Sequence, residues 1–196
     1  MIISIEGMDG SGKTTVARRI EKEFSFMYVK DPLKYLFELS EEQLSKISRK
    51  VFDSKNNKLI ALYLALGDCY ALSEYQNMNV IMDRHVLLNY FWNGNMDTES
   101  IFKMQVDYFG KPDLTILLLA SPQTRRKRIS RRNPNDPDLK KQEIFKENYS
   151  KIIDFLEKYG YNYVLVDTEQ LSIEDMVLQC KRIIAGFMRE RIKNGN

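Results

Sequence analysis

Short apolar runs alternate along this chain with longer amphipathic stretches. Runs at residues 2–6, 26–30, 79–83, 113–119 and 161–166 read as strands. Between the first two, Val16, Ala17, Ile20 and Phe24 recur at helical spacing and define the buried stripe of a helix beginning near Gly12. Asp31-Pro32 marks a turn into a helix after the second run. Residues 56–76 read as a long helix with Leu59, Ile60, Tyr63, Leu64 and Leu66 along it and Gly67 inside it. Pro122 opens another helix directly after the fourth strand, where a first-turn proline costs nothing. A last helix, about 172–192, puts Met176, Val177, Cys180, Ile183, Ile184 and Phe187 on one face, and the final Lys193 to Asn196 are expected to fray. Strands alternating with helices predict an α/β fold with a parallel sheet. The polar, proline-bearing stretch Asn133 to Asp138 is a surface loop, too short and too central to be a domain linker. One domain over residues 1–196 is expected, with no internal repeat.

Composition narrows this picture little. The 196 residues are 43% hydrophobic and 29% charged, as in ordinary globular proteins. A net charge of +3 does not by itself argue for nucleic acid or membrane, and neither is expected as a partner. Cys69 and Cys180 sit in apolar contexts without metal-type spacing and read as core thiols. His85 is the only histidine, which excludes a paired catalytic histidine or a histidine-rich metal site. The chain opens on a strand pattern without a basic leader, and no apolar run approaches the length of a membrane span, so a cytoplasmic protein is expected.

The chemistry enters at the end of the first strand. Gly7-Met8-Asp9-Gly10-Ser11-Gly12-Lys13-Thr14, followed by Thr15, satisfies the phosphate-binding pattern G-x-x-x-x-G-K-[ST] in full. The glycines let successive backbone N–H groups turn toward phosphate oxygens, and the helix that follows adds its partial positive charge. Lys13 supplies a point charge near the β- and γ-phosphates, and the Thr14 hydroxyl suits Mg²⁺. The motif follows a strand and opens a helix, as its function demands. Val80-Ile81-Met82-Asp83 is an apolar strand ending in a carboxylate. Such an acid holds Mg²⁺ in P-loop proteins; a cap for the next helix is the alternative.

Arg125, Arg126, Lys127, Arg128, Arg131 and Arg132 are crowded together just before the polar loop. A solvated helix face and a nucleic-acid patch are two readings, and the lack of interleaved aromatics weakens the second. A lid over about 125–140, closing cations over a transferred phosphoryl group, fits best. Arg125, Arg128 and Arg132 share one helical face and are expected to point inward, leaving Arg126, Lys127 and Arg131 solvated.

These residues resemble the thymidylate kinase family. Ile5 to Thr15 looks like that family's P-loop, including the acid at Asp9, and Asp83-Arg84-His85 is similar to its Asp-Arg-Tyr/His motif. Pro112 to Thr115, Ser121-Pro122 with Arg128 and Arg132, and Tyr163 to Asp167 resemble its fourth strand, its lid and its last strand. The similarity runs over nearly the whole chain and is weakest over 35–60. It implies a three-layer P-loop kinase fold with a five-stranded parallel sheet, an ATP donor, Mg²⁺ and a homodimer. It also implies roles: Lys13 and Thr14 for ATP and metal, Asp9 near the acceptor's sugar, Asp83 for metal or acceptor, and Arg84 for the acceptor's phosphate. With no arginine inside the P-loop, the lid-arginine type is indicated.

The departures fall on the acceptor side. Lys30-Asp31-Pro32-Leu33 stands where the family has Arg-Glu-Pro-Gly, and its Asp-Arg on the long helix reads Asp68-Cys69. Its serine and Tyr-Gln pair read Leu88 and Trp92-Asn93, and the acid that ends the fourth strand reads Leu119. Trp92 and Asn93 either stack on and pair with a base or pack a helix end. Residues 35–58 should line the acceptor side. Three functions stand: a kinase for a nucleoside monophosphate, with dTMP first; a kinase for a nucleoside or other small hydroxyl compound, with Asp31 as base; and a nucleotide-binding regulator with little turnover.

Overall fold

The computed structural model describes residues 1–140, 149–193 and 195. Asn194 and Asn196, part of the tail expected to fray, lie outside them. β1 (Ile2–Gly7), β2 (Met27–Val29), β3 (Val80–Asp83), β4 (Leu114–Leu119) and β5 (Tyr163–Asp167) form a five-stranded sheet in the order β2-β3-β1-β4-β5. Every pairing is parallel. β1 and β3 are buried at every residue, which is why their sequences run apolar without alternating. The three-layer α/β fold with a five-stranded parallel sheet is therefore borne out, with strand ends within two residues of expectation.

One face is covered by α1 (Lys13–Phe24) and α9 (Ile173–Lys193). Val16, Ala17 and Ile20 of the first and Met176, Val177, Cys180 and Ile184 of the second share a core with Ile3, Ile5 and Ile116 of the sheet. The other face is covered by α4 (Asn57–Glu74), α5 (Val86–Asn93) and α8 (Tyr149–Lys158). There Ala61, Leu87, Phe102, Leu117 and Phe155 pack together. The C-terminal half of α4 lays Ala71 and Leu72 against Val29, Val80 and Met82. Gly67 has a local reason in this helix: a Cβ there would meet Leu33 Cγ at 3.1 Å, so its absence lets α2 (Leu33–Leu36) pack closely.

Capping sets the remaining boundaries. α3 (Glu41–Asp53) starts with a full capping box between Ser40 and Gln43, and α4 starts where Asn56 accepts from Leu59 N–H. α7 (Pro122–Arg132) has Ser121 as its cap and Pro122 in its first turn, as expected. α6 (Glu99–Met104) runs into a π-helical turn, Gln105–Phe109. α3, α6 and α8 have no counterpart among the elements expected from the sequence. Both cysteines are buried and free, as expected. No described helix is long and apolar enough to cross a membrane.

Candidate functional site

β1 occupies the middle of the sheet, so the segments that leave the C-terminal ends of β1, β3 and β4 emerge side by side. They deliver the P-loop, Asp83-Arg84-His85 and α7. The loop backbone requires its glycines. Gly10 has φ 84°, and a Cβ there would lie 2.7 Å from the Arg125 carbonyl oxygen. Gly12 has φ 107° and caps α1, which begins at Lys13 as the motif demands.

Lys13 is buried and donates through Nζ to the Met8 carbonyl at 2.9 Å, with Asp9 Oδ1 at 3.7 Å. Burial, reinforced by the Arg84 charge, brings its ammonium down to about 8. Asp9 is pushed up by burial, but Arg84 and Lys13 outweigh this and hold it below the usual range. Arg84 donates to Asp9 Oδ1 at 2.6 Å. The backbone of Arg84 sits at φ 84°, a left-handed conformation that costs a non-glycine residue on the order of 1–3 kcal/mol. In that conformation its side chain reaches Asp9 of the P-loop.

Asp83 accepts from Thr14 Oγ1 at 2.6 Å and from Tyr28 OH at 2.8 Å, both through Oδ2. It does not cap the following helix: α5 is capped at His85 and has no side-chain cap bond. The pairing of a P-loop hydroxyl with a strand-end carboxylate fits Mg²⁺. Both groups are hard oxygens, and Asp83 Oδ1 is buried without a hydrogen-bond partner among the described residues.

Two cavities meet at Asp9 and Arg84, which line both. The second, about 590 Å³, runs from Lys13, Thr14 and Thr15 past α7 to Leu171, Ile173 and Met176. The first, about 430 Å³, lies between α2, α3, α4 and α5. Asp31, Trp92 and Asn93 all line it, so the structure brings together every residue assigned to the acceptor. Leu44, Ser48 and Phe52 come from the 35–58 stretch, as expected. Asn89 Nδ2 donates to the Ala61 carbonyl, and Asn93 Nδ2 donates to Asn89 Oδ1, which fixes both amides in the wall.

The arginine segment departs from expectation at Arg125, which is fully buried, with its backbone packed against Gly10, so it is no mobile cation. Arg126, Lys127 and Arg131 are exposed, as expected, and Arg131 also lines the second cavity with Arg128 and Arg132. The cause is the register of α7 over the loop: its first turns are packed and only its last turn reaches the opening. Arg128 is itself tied down. Its guanidinium donates to the Thr168 carbonyl at 2.5 Å, to Thr168 Oγ1 at 3.0 Å and to the Ser11 carbonyl at 3.3 Å. Arg132 pairs with Asp136 at 2.8 Å.

Several polar contacts around the site are visible only in three dimensions. Glu169 accepts from Ser121 N–H at 2.7 Å, Ser121 Oγ at 2.8 Å and Thr124 Oγ1 at 2.6 Å, anchoring the start of α7. The Thr124 hydroxyl and the Ser121 groups draw its carboxyl down to about 2. Glu6, at the end of β1, accepts from the backbone N–H groups of His85 and Leu87. Burial nonetheless pushes it up to about 7. Asp68, on the floor of the first cavity, is raised well above the carboxylate range by burial and then by the Glu6 charge. Burial brings His85 down to about 3, so it stays neutral.

Lys13 supplies a pH signature. Below about 8 it carries its charge in the unliganded loop; above, it has lost it, while bound phosphates would raise its proton affinity again. ATP affinity should therefore fall as pH rises through about 8, with binding taking up a proton on the alkaline side. Calorimetry in buffers of different ionisation enthalpy measures both. Lys13→Met should bind weakly with no such pH dependence, and a pH-independent affinity in the unaltered protein contradicts the assignment.

Comparison with known proteins agrees with this geometry. The thymidylate kinase family pattern matches residues 5–179. A probable thymidylate kinase of Archaeoglobus fulgidus is 30% identical over 210 aligned positions, covering 100% of both chains. One of Methanocaldococcus jannaschii is 25% identical over 184, covering 90% of this chain and 91% of its own. Among solved structures, a deoxyadenosine kinase from M. mycoides with the products dCMP and a flexible dCDP bound superposes with a TM-score of 0.67 at 20% identity, covering 95% of this chain and 100% of that one. At that identity the superposition speaks for the fold. With its P-loop, its Asp-Arg-His segment and its two joined cavities, the chain belongs to the thymidylate kinase family and is a nucleotide kinase.

Proposed function

We propose that the protein transfers the γ-phosphoryl group of ATP to a nucleoside monophosphate, with dTMP the first candidate acceptor. The observation that carries this reading is the meeting of two cavities at Asp9 and Arg84, one leading from the P-loop and one enclosed by α2 to α5. A donor in the second cavity and an acceptor in the first would bring their phosphates together there, which is the condition for in-line transfer.

Each residue has a task in this scheme. Lys13 exchanges its bond to the Met8 carbonyl for β- and γ-phosphate oxygens, while the backbone from Gly7 to Thr15 wraps the phosphates. Arg84 pairs with the acceptor's phosphate, and Asp9 keeps that guanidinium in place. Arg131 and Arg132, on the last turn of α7, spread over the transferred group. Trp92 offers a stacking face and Asn93 a hydrogen-bonding edge to the base. Mg²⁺, held at Thr14 and Asp83, would neutralise charge developing on the donor phosphates.

A second reading changes only the acceptor. Asp9, Asp31 and Asp83 line the first cavity against one cation, Arg84, among the described residues, and Asp68 is a fourth acid there that burial disfavours as an anion. That balance suits a neutral hydroxyl better than a dianion, and Asp31 would then act as its base. We also propose a homodimer, because Leu59, Leu62 and Leu66 form an exposed apolar row at spacings of three and four along α4.

Three experiments test these proposals. In a coupled assay over the common nucleoside monophosphates, dTMP should turn over fastest; no turnover with any of them sinks the leading reading. Should nucleosides serve instead, Asp31→Asn should lower turnover by about a hundred-fold or more. Ordinary activity in that variant eliminates Asp31 as base. Light scattering should give twice the chain mass for the protein and a single mass for Leu62→Glu. A monomeric unaltered protein removes the dimer.

A further inference from the structure

The carboxylate of Asp83 is held from one side by two hydroxyls. Thr14 Oγ1, from α1, and Tyr28 OH, from β2, donate to the same oxygen, Oδ2, at 2.6 and 2.8 Å. The other oxygen, Oδ1, is buried and has no hydrogen-bond partner among the described residues. Thr14 belongs to the P-loop, whereas Tyr28 belongs to no motif in this chain. It reaches Asp83 because β2 lies beside β3, with Tyr28 in register with Ile81. Its side chain is nearly buried, and the Arg18 guanidinium covers its ring, 3.5 Å from the centroid.

We infer that Tyr28 is a positioning residue for phosphoryl transfer: its hydroxyl fixes the Asp83 carboxylate so that Oδ1 alone remains to accept from a bound ligand. The inference rests on the phosphoryl-transfer reading of Asp83. The physical argument starts from the terminal torsion of aspartate, which is broad and roughly two-fold. With Thr14 as sole partner, the carboxylate can swing about its Cβ–Cγ bond and present either oxygen. A second donor from a different element closes that freedom. A hydroxyl has one proton and two lone pairs, so Thr14 can donate to Asp83 and still offer oxygen to a cation. Tyr28 has no such second duty, because its ring is covered and its hydroxyl points into the site. Burial, then the hydrogen bond to Asp83, pushes the phenol above its ordinary range, so it remains a donor.

Tyr28→Phe deletes one oxygen and keeps the packing. Turnover should fall about ten-fold, the usual scale for a lost hydrogen bond to a charged group. The Mg²⁺ concentration for half-maximal activity should rise several-fold, and the acceptor KM should change by less than about two-fold. Calorimetry adds a readout apart from activity: affinity for Mg·ATP should fall while affinity for ATP without metal stays unchanged. Tyr28→His, whose ring retains an N–H donor, should recover part of each loss. A folded Tyr28→Phe variant with unaltered turnover and Mg²⁺ dependence overturns the inference. So does a variant that has lost its fold, because the hydroxyl would then serve the core rather than Asp83. Asp83→Asn separates this from the underlying reading. If Asp83→Asn keeps full turnover, the role of Asp83 itself fails; if it is inactive while Tyr28→Phe is normal, only the role of Tyr28 fails.

Discussion

The pairing of β1 with β3 on one side and β4 on the other is the constraint from which the site follows. A parallel sheet sends every strand's C-terminal end to the same edge, so three consecutive strands in space put three loops in contact. Here those loops carry the phosphate-binding turn, the Asp83-Arg84 pair and the base of α7. The registers Ile5 with Asp83 and Gly7 with Leu118 set their heights. A slip of one residue in either pairing would move Asp83 away from Thr14, or the Leu118 carbonyl away from the spot where Gly7 leaves no room for a side chain. The buried apolar strands therefore determine the chemistry as well as the stability.

Charge is balanced tightly around that edge. Lys13 and Arg84 are both within reach of Asp9, and the Arg84 charge disfavours that of Lys13 while Asp9 favours it. In the unliganded loop the lysine satisfies itself on a backbone carbonyl. Phosphates arriving there replace a weak neutral acceptor with strong anionic ones, so the exchange favours binding without a large rearrangement. Behind the loop, Glu6 and Asp68 are two acids buried near each other, and burial disfavours their charge. With Asp68 kept protonated and Glu6 only part-ionised near neutral pH, the negative potential at the phosphate site is lower than the count of acids suggests.

How much of this was legible in the sequence depends on how local each feature is. Gly7 to Thr15 and Asp83 were readable because the spacing that defines them lies within a few residues of chain. The long helices followed from periodicity, and so did the sheet. Arg125 was misread because its burial depends on how α7 lies over Gly10, which helical spacing within α7 cannot reveal. Tyr28, Glu169 and Glu6 act across separations of 55, 48 and 79 residues, and none sits in a pattern that announces its partner. α3 opens on the Ser40–Gln43 capping box and α8 buries Ile152, Phe155 and Leu156 at helical spacing, so both left a local signal that the strand-and-helix reading passed over, whereas α6 is only six residues long.

The base of α7 has a mechanical consequence. Glu169 grips its first turn, Gly10 lets its second press against the P-loop, and Arg128 is bonded to both the loop and the turn after β5. A rod clamped at three points along its root cannot swing as a whole. Whatever travel this segment has must come from the part beyond the buried Ile129, a short arm whose tip carries Arg131 and Arg132. Such an arm sweeps a small arc, and its stiffness is set by the fixed end rather than by the loop it leads into.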